Sequence, residues 1–96
     1  DHSLRMVNVI SGDALLYCSE SAAKKYGSIQ EVIRNLPLVT KSAELPYHEY
    51  CRRILQRTFD ASFEGVTVVE SPAKQSLLTK LSQGFCIMLE KEAADQ

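Results

Sequence analysis

The first strong pattern is aliphatic. Leu4 to Ile10 is too short for a stable helix and rich in β-branched side chains, which predicts a strand. Ser11-Gly12-Asp13 carries turn chemistry, and a second apolar run, Ala14 to Cys18, follows it, so the two runs predict a hairpin. Ser19 and Ser21 then offer N-caps, Ala22 to Tyr26 supplies one or two helical turns, and Gly27 is a C-terminal stop. Ser28 to Glu31 forms a capping box. Ile29, Val32, Ile33 and Leu36 follow at i, i+3, i+4 and i+7, one apolar helix face that Pro37 closes. Residues 37–45 read as a connection.

Pro46 suits a first helical position, and Tyr47, Tyr50, Cys51, Ile54, Leu55 and Phe59 trace a stripe along the longest predicted helix, Pro46 to Phe59. Arg52, Arg53, Gln56 and Arg57 lie off that stripe and read as a solvated face. Asp60 to Gly65 is a predicted loop and Val66 to Glu70 a strand. Phe85 to Leu89 is apolar on both alternations, so it predicts a strand covered on both faces. Residues 71–83 admit two readings. Ser71-Pro72 with Leu77, Leu78 and Leu81 fits a capped helix, whereas Leu77, Thr79 and Leu81 also alternate as a strand. Glu90 to Gln96 is a polar, helix-tolerant tail that reads as the start of a linker.

Composition narrows the function classes. The 96 residues predict one domain over 1–96, and 45% hydrophobic residues suffice for a core. Eleven basic residues against twelve acidic ones leave a net charge of −1, which removes the electrostatic argument for nucleic acid or an anionic membrane as partner. No apolar run approaches the length of a membrane span, and no signal-peptide pattern occurs. The start at Asp1 fits a piece of a larger protein.

Cys18, Cys51 and Cys86 are odd in number, widely spaced and set in apolar patterns, which predicts reduced, buried thiols and a cytoplasmic setting. His48 and Cys51 are too few donors for a structural zinc site. No Gly-x-Ser-x-Gly elbow occurs, the four glycines are isolated, and Asp60 and Glu64 fall in a loop, so no enzyme is expected.

In this order the chain resembles a PAS domain. Gly12 to Cys18 resembles the family's second strand after its glycine turn, and Ser21 to Gly27 resembles the short helix that ends in an aromatic-glycine pair. Ser28 to Val32 is similar to the next helix, Tyr47 to Phe59 to the long connecting helix, and Phe63 to Val66 to the entry of the final meander. Gln83 to Glu92 resembles the last strand running toward a linker. The family's asparagine after the second strand is replaced near Cys18-Ser19, and Glu90-Lys91-Glu92 stands where an Asp-x-Thr ending is usual. The stretch Gly65 to Lys91 is also short for the meander.

The resemblance implies an α+β fold: a five-stranded antiparallel sheet ordered 2-1-5-4-3, with short helices and one longer helix packed on one face. It also tips residues 71–83 toward a strand. The implied function is a non-catalytic sensory or protein-interaction module of a signalling protein, homodimeric or docked on other domains, which passes binding to a C-terminal effector. The implied cleft lies between sheet and helices, filled by side chains or by a small apolar ligand. Its candidate lining is Tyr17, Ile33, Leu36, Cys51, Ile54, Leu55 and Met88. Haem-binding members carry their histidine on the long helix, which makes His48 the candidate iron ligand; the alternative is a boundary histidine. Cys51 to Gln56 resembles the flavin-reactive cysteine motif. Tyr50 replaces its asparagine, however, and residues 66–91 contain no Asn, so flavin is not expected. The ligand stays undetermined. The competing fold is a ubiquitin-like interaction domain without a cavity, which requires a strand at Arg52 to Phe59.

Overall fold

Serine caps set three of the described helix starts in the computed structural model, which describes residues 4–8 and 14–89. Ser19 Oγ accepts the Ala22 N–H at 3.0 Å to open α1 (Glu20–Tyr26), and Gly27, at φ 84°, closes it in the left-handed region. Ser28 caps α2 (Ile29–Asn35) through the Glu31 N–H, as the capping box predicts. The long helix α3 (Leu45–Phe59) begins without a side-chain cap, with Pro46 in its first turn. It ends at Asp60, whose carboxylate accepts from Gln56 Nε2 and whose carbonyl accepts from Arg34 Nη2. Ser71 caps α4 (Pro72–Lys80) through the Lys74 N–H.

The predicted hairpin is present. β1 (Leu4–Asn8) pairs antiparallel with β2 (Ala14–Ser19), Leu4 opposite Ser19; the turn residues Ser11 to Asp13 lie outside the described residues. β3 (Leu38–Thr40) and β4 (Val66–Val68) pair in parallel, Leu38 opposite Val66. β5 (Cys86–Leu89) pairs antiparallel with β2, Tyr17 opposite Cys86. The two ladders meet at a parallel bridge between Leu38 and Phe85. There the Val39 N–H donates to the Phe85 carbonyl at 2.8 Å and the Phe85 N–H to the Pro37 carbonyl at 3.1 Å. Gly84 permits this approach: a Cβ on it would run into the Val39 side chain and sit 2.9 Å from the Pro37 carbonyl oxygen.

This architecture corrects the PAS-like expectation. The strands form an antiparallel β1-β2-β5 ladder and a parallel β3-β4 ladder, not one five-stranded antiparallel sheet, and β2 rather than β1 borders β5. Residues 72–80 are helical, so the expected meander does not form. Residues 38–40, expected as connection, are a fully buried strand: Leu38, Val39 and Thr40 are all suited to a pleated, covered position. The helix at 45–59 equally removes the strand that a ubiquitin-like fold needs.

The helices do not share one face either. From β3 the chain crosses through α3 to its neighbour β4, then returns through α4 past β3 to β5. Crossovers between parallel strands are right-handed as a rule, and two that run in opposite directions place their helices on opposite faces. The side chains agree. Leu16, Cys18, Leu38, Phe85 and Ile87 join Val32, Ile33, Cys51, Ile54 and Leu55 in one core cluster beneath α2 and α3. The alternate positions Leu15, Cys86 and Met88 are buried outside that cluster, on the side where α4 meets β2 and β3. No helix among the described residues is long and apolar enough to cross a membrane.

Candidate functional site

The seven candidate lining residues divide across the sheet. Ile33, Cys51, Ile54 and Leu55 are buried in the cluster under α2 and α3, with Leu36 packed against it. Tyr17 and Met88 occupy the alternate strand positions, opposite Cys86 and Leu15 respectively, and so belong to the α4 side.

The thiols are chemically quiet. Burial pushes the Cys86 thiol up to about 11, partly offset by its hydrogen bond with Thr79 and reinforced by nearby Cys18. Burial also raises Cys51, against a lowering hydrogen bond with Tyr47. Both stay protonated at neutral pH, and it is the thiolate that attacks or binds metal. All three cysteines are buried and none is in a disulfide. His48 is buried too. Its Nε2 donates to the Ser42 carbonyl at 2.8 Å and its ring meets Tyr47 edge-on, so that nitrogen is engaged by backbone rather than open to a haem iron. No group of His, Cys, Asp or Glu among the described residues is placed to hold a metal ion.

A groove of about 300 Å³ lies on the outer side of α3, lined by Tyr50, Arg53, Ile54 and Arg57. Their spacing of i, i+3, i+4 and i+7 puts all four on one strip of the helix, with Arg53 and Arg57 about 6 Å apart along its axis. The three arginines have different surroundings. Arg52 pairs with Glu49 at 2.7 Å and lies over the Phe63 ring at 4.5 Å, which ties it to the fold. Arg53 and Arg57 have no ion pair among the described residues. Tyr50, expected in the core stripe, is exposed beside them because α3 buries His48, Cys51, Ile54 and Leu55 instead.

A second surface lies on α4. Leu77 and Leu81, one turn apart, are exposed, while Gln75 and Thr79 fill the buried side. Gln75 Nε2 donates to the Val39 carbonyl at 3.0 Å and Thr79 Oγ1 to the Gln75 carbonyl at 2.8 Å.

The groove was legible as a spacing: Tyr50, Arg53, Ile54 and Arg57 repeat at helical intervals, but Tyr50 and Ile54 were read into the apolar stripe and the two arginines as a solvated face. The α4 surface was not, since hydrophobic periodicity assigns leucines inward. Comparison with known proteins finds no matching family model, no curated relative and no similar solved structure.

Proposed function

We propose that the chain is a non-catalytic protein-interaction module, working in a reducing compartment such as the cytoplasm, that holds an acidic partner segment along α3. The observation that carries this reading is the pair Arg53 and Arg57, set one turn apart in an open groove and in no ion pair among the described residues. Guanidinium forks match carboxylates in two-point geometry, and Tyr50 and Ile54 supply apolar surface between them. The protonated, buried thiols and the engaged His48 supply no nucleophile or open metal ligand, which supports a binding role over catalysis. In a signalling protein, such a module would couple partner capture to whatever effector follows Leu89.

The test is fluorescence anisotropy with a labelled dodecapeptide of alternating Glu and Leu, against the same peptide with Lys for Glu. Binding of the acidic peptide that weakens with salt, and at least tenfold in the Arg53→Glu/Arg57→Glu variant, supports the assignment. Equal binding of both peptides, or an unchanged affinity in the variant, overturns it.

A further inference from the structure

The carboxylates nearest in the chain to the two groove arginines are both engaged by other side chains. Glu49, one turn before Arg53, pairs with Arg52 at 2.7 Å. Asp60, just past Arg57, accepts from Gln56 Nε2 at 2.7 Å. Arg53 and Arg57 are exposed and make no ion pair or side-chain hydrogen bond among the described residues, and the exposed Tyr50 hydroxyl makes none either. Side chains on a helix lean toward its N-terminus, so Arg57 reaches back toward Arg53 and Arg53 toward Tyr50. Two guanidinium forks and a phenol therefore line one groove without an acceptor among the described side chains.

The donor count says which anion fits. A carboxylate has two oxygens, and a single guanidinium fork satisfies both, which leaves the second arginine unanswered. A phosphate monoester carries three terminal oxygens and a charge of about −1.5 to −2, enough for two forks that flank it. The axial spacing of about 6 Å between Arg53 and Arg57 leaves room for one such group between them. Ile54 adds apolar surface for the carbon chain of the ester. A lipid headgroup can carry the same phosphate, but a net charge of −1 gives the chain no attraction to an anionic membrane.

We infer, on the acid-binding reading of the α3 groove, that the anion it holds is a phosphorylated side chain of the partner segment, bridged by Arg53 and Arg57 beside the Tyr50 hydroxyl. Phosphorylation of the partner then sets whether it is captured.

The experiment is fluorescence anisotropy of the whole chain with three labelled dodecapeptides of alternating Glu and Leu. One is unaltered, one has serine in place of a central glutamate, and one has phosphoserine there. The phosphoserine peptide should bind at least about tenfold tighter than the unaltered one, and the serine peptide more weakly than either. Arg53→Lys/Arg57→Lys keeps both charges but loses the forks, and should cut that advantage to below about threefold. Thermal melts of this variant establish that it folds. Equal affinity for the phosphoserine and unaltered peptides overturns the inference and leaves the acid-binding reading standing, whereas absence of binding by all three overturns both. An advantage preserved in Arg53→Lys/Arg57→Lys shows that charge alone is recognised and also overturns it. Tighter binding to phosphatidylcholine vesicles doped with a phosphatidylinositol monophosphate than to the phosphoserine peptide overturns it in favour of a lipid.

Discussion

Ser19 Oγ lies 2.6 Å from Ser82 Oγ, which ties the start of α1 to the turn that ends α4. The same Ser19 oxygen accepts the Ala22 N–H as the α1 cap. Ser82 sits at φ 62°, in the left-handed region that favours glycine, while the Ser82 and Gln83 N–H groups close the last turn onto Thr79 and Leu78. The serine pair thus offsets a strained backbone position on one side and completes a helix cap on the other.

Ser19→Ala removes both bonds and should cost about 1–2 kcal/mol in urea denaturation. Ser82→Gly loses one bond and relieves the left-handed strain, so its expected cost is well below that of Ser19→Ala, with Ser82→Ala between the two. A Ser82→Gly as damaging as Ser19→Ala would contradict this division of roles.

Among the described glycines, Gly84 is expected to be the least replaceable. In Gly84→Ala the new methyl meets the Val39 side chain and the Pro37 carbonyl where the two ladders join. Overpacking of this kind costs about 1–3 kcal/mol or more. Gly65→Ala is the control, because its Cβ would meet only the Pro37 Cβ, at an ordinary 3.8 Å. Comparable melting temperatures for the two variants would argue against a tight β3–β5 junction.

Stability should fall with alkaline pH. The Cys86 thiol, with its pKa pushed up to about 11, keeps its proton in the folded chain above the pH where an unfolded cysteine, near about 8.5, loses it. The unfolded state then binds fewer protons, so stability is full below about pH 8.5 and declines toward about pH 11. Cys51 and Tyr17, both raised chiefly by burial, act in the same direction. Urea midpoints across this range, compared between the native chain and Cys86→Ala, measure the effect; a flat profile in both would remove the burial argument.

Gln75 and Thr79 show where sequence patterning stops. The capped helices at Glu20 to Asn35 and the helix at 45–59 were legible because their caps, stops and apolar spacing agree. The hairpin was legible for the same reason. Leu38 to Thr40 was not, since three residues between Pro37 and a polar loop carry no measurable period; long-range pairing with Val66 to Val68 makes them a strand. Residues 72–80 were undecided because their interior is hydrogen-bonded rather than hydrophobic. In the α3 groove, Arg53 and Arg57 were visible as charges, but that neither forms an ion pair among the described residues is a three-dimensional fact.

The hydrogen-bonded inner side of α4 has its own measurable consequence. Gln75→Ala breaks the bond to the Val39 carbonyl and leaves a buried acceptor unpaired, which should cost about 1–3 kcal/mol. Leu77→Ser, on the exposed side, should change stability by no more than about 0.5 kcal/mol. Hydrophobic patterning alone orders the two the other way. A larger loss for Leu77→Ser than for Gln75→Ala would place the leucine inside.

The arginines of α3 provide the sharpest separation between fold and binding. Arg52 covers the Phe63 ring and pairs with the exposed Glu49, so Arg52→Ala forfeits a cation–π contact of about 0.5–1 kcal/mol and a surface ion pair of small value. Arg53→Ala and Arg57→Ala remove no ion pair within the described residues and should leave the urea midpoint nearly unchanged. Binding of the acidic dodecapeptide should show the reverse order, with Arg53→Ala and Arg57→Ala weakened and Arg52→Ala little affected. Residues kept for folding respond in the first measurement and residues kept for a partner in the second. If Arg53→Ala loses stability without losing affinity, it belongs with Arg52 as part of the scaffold.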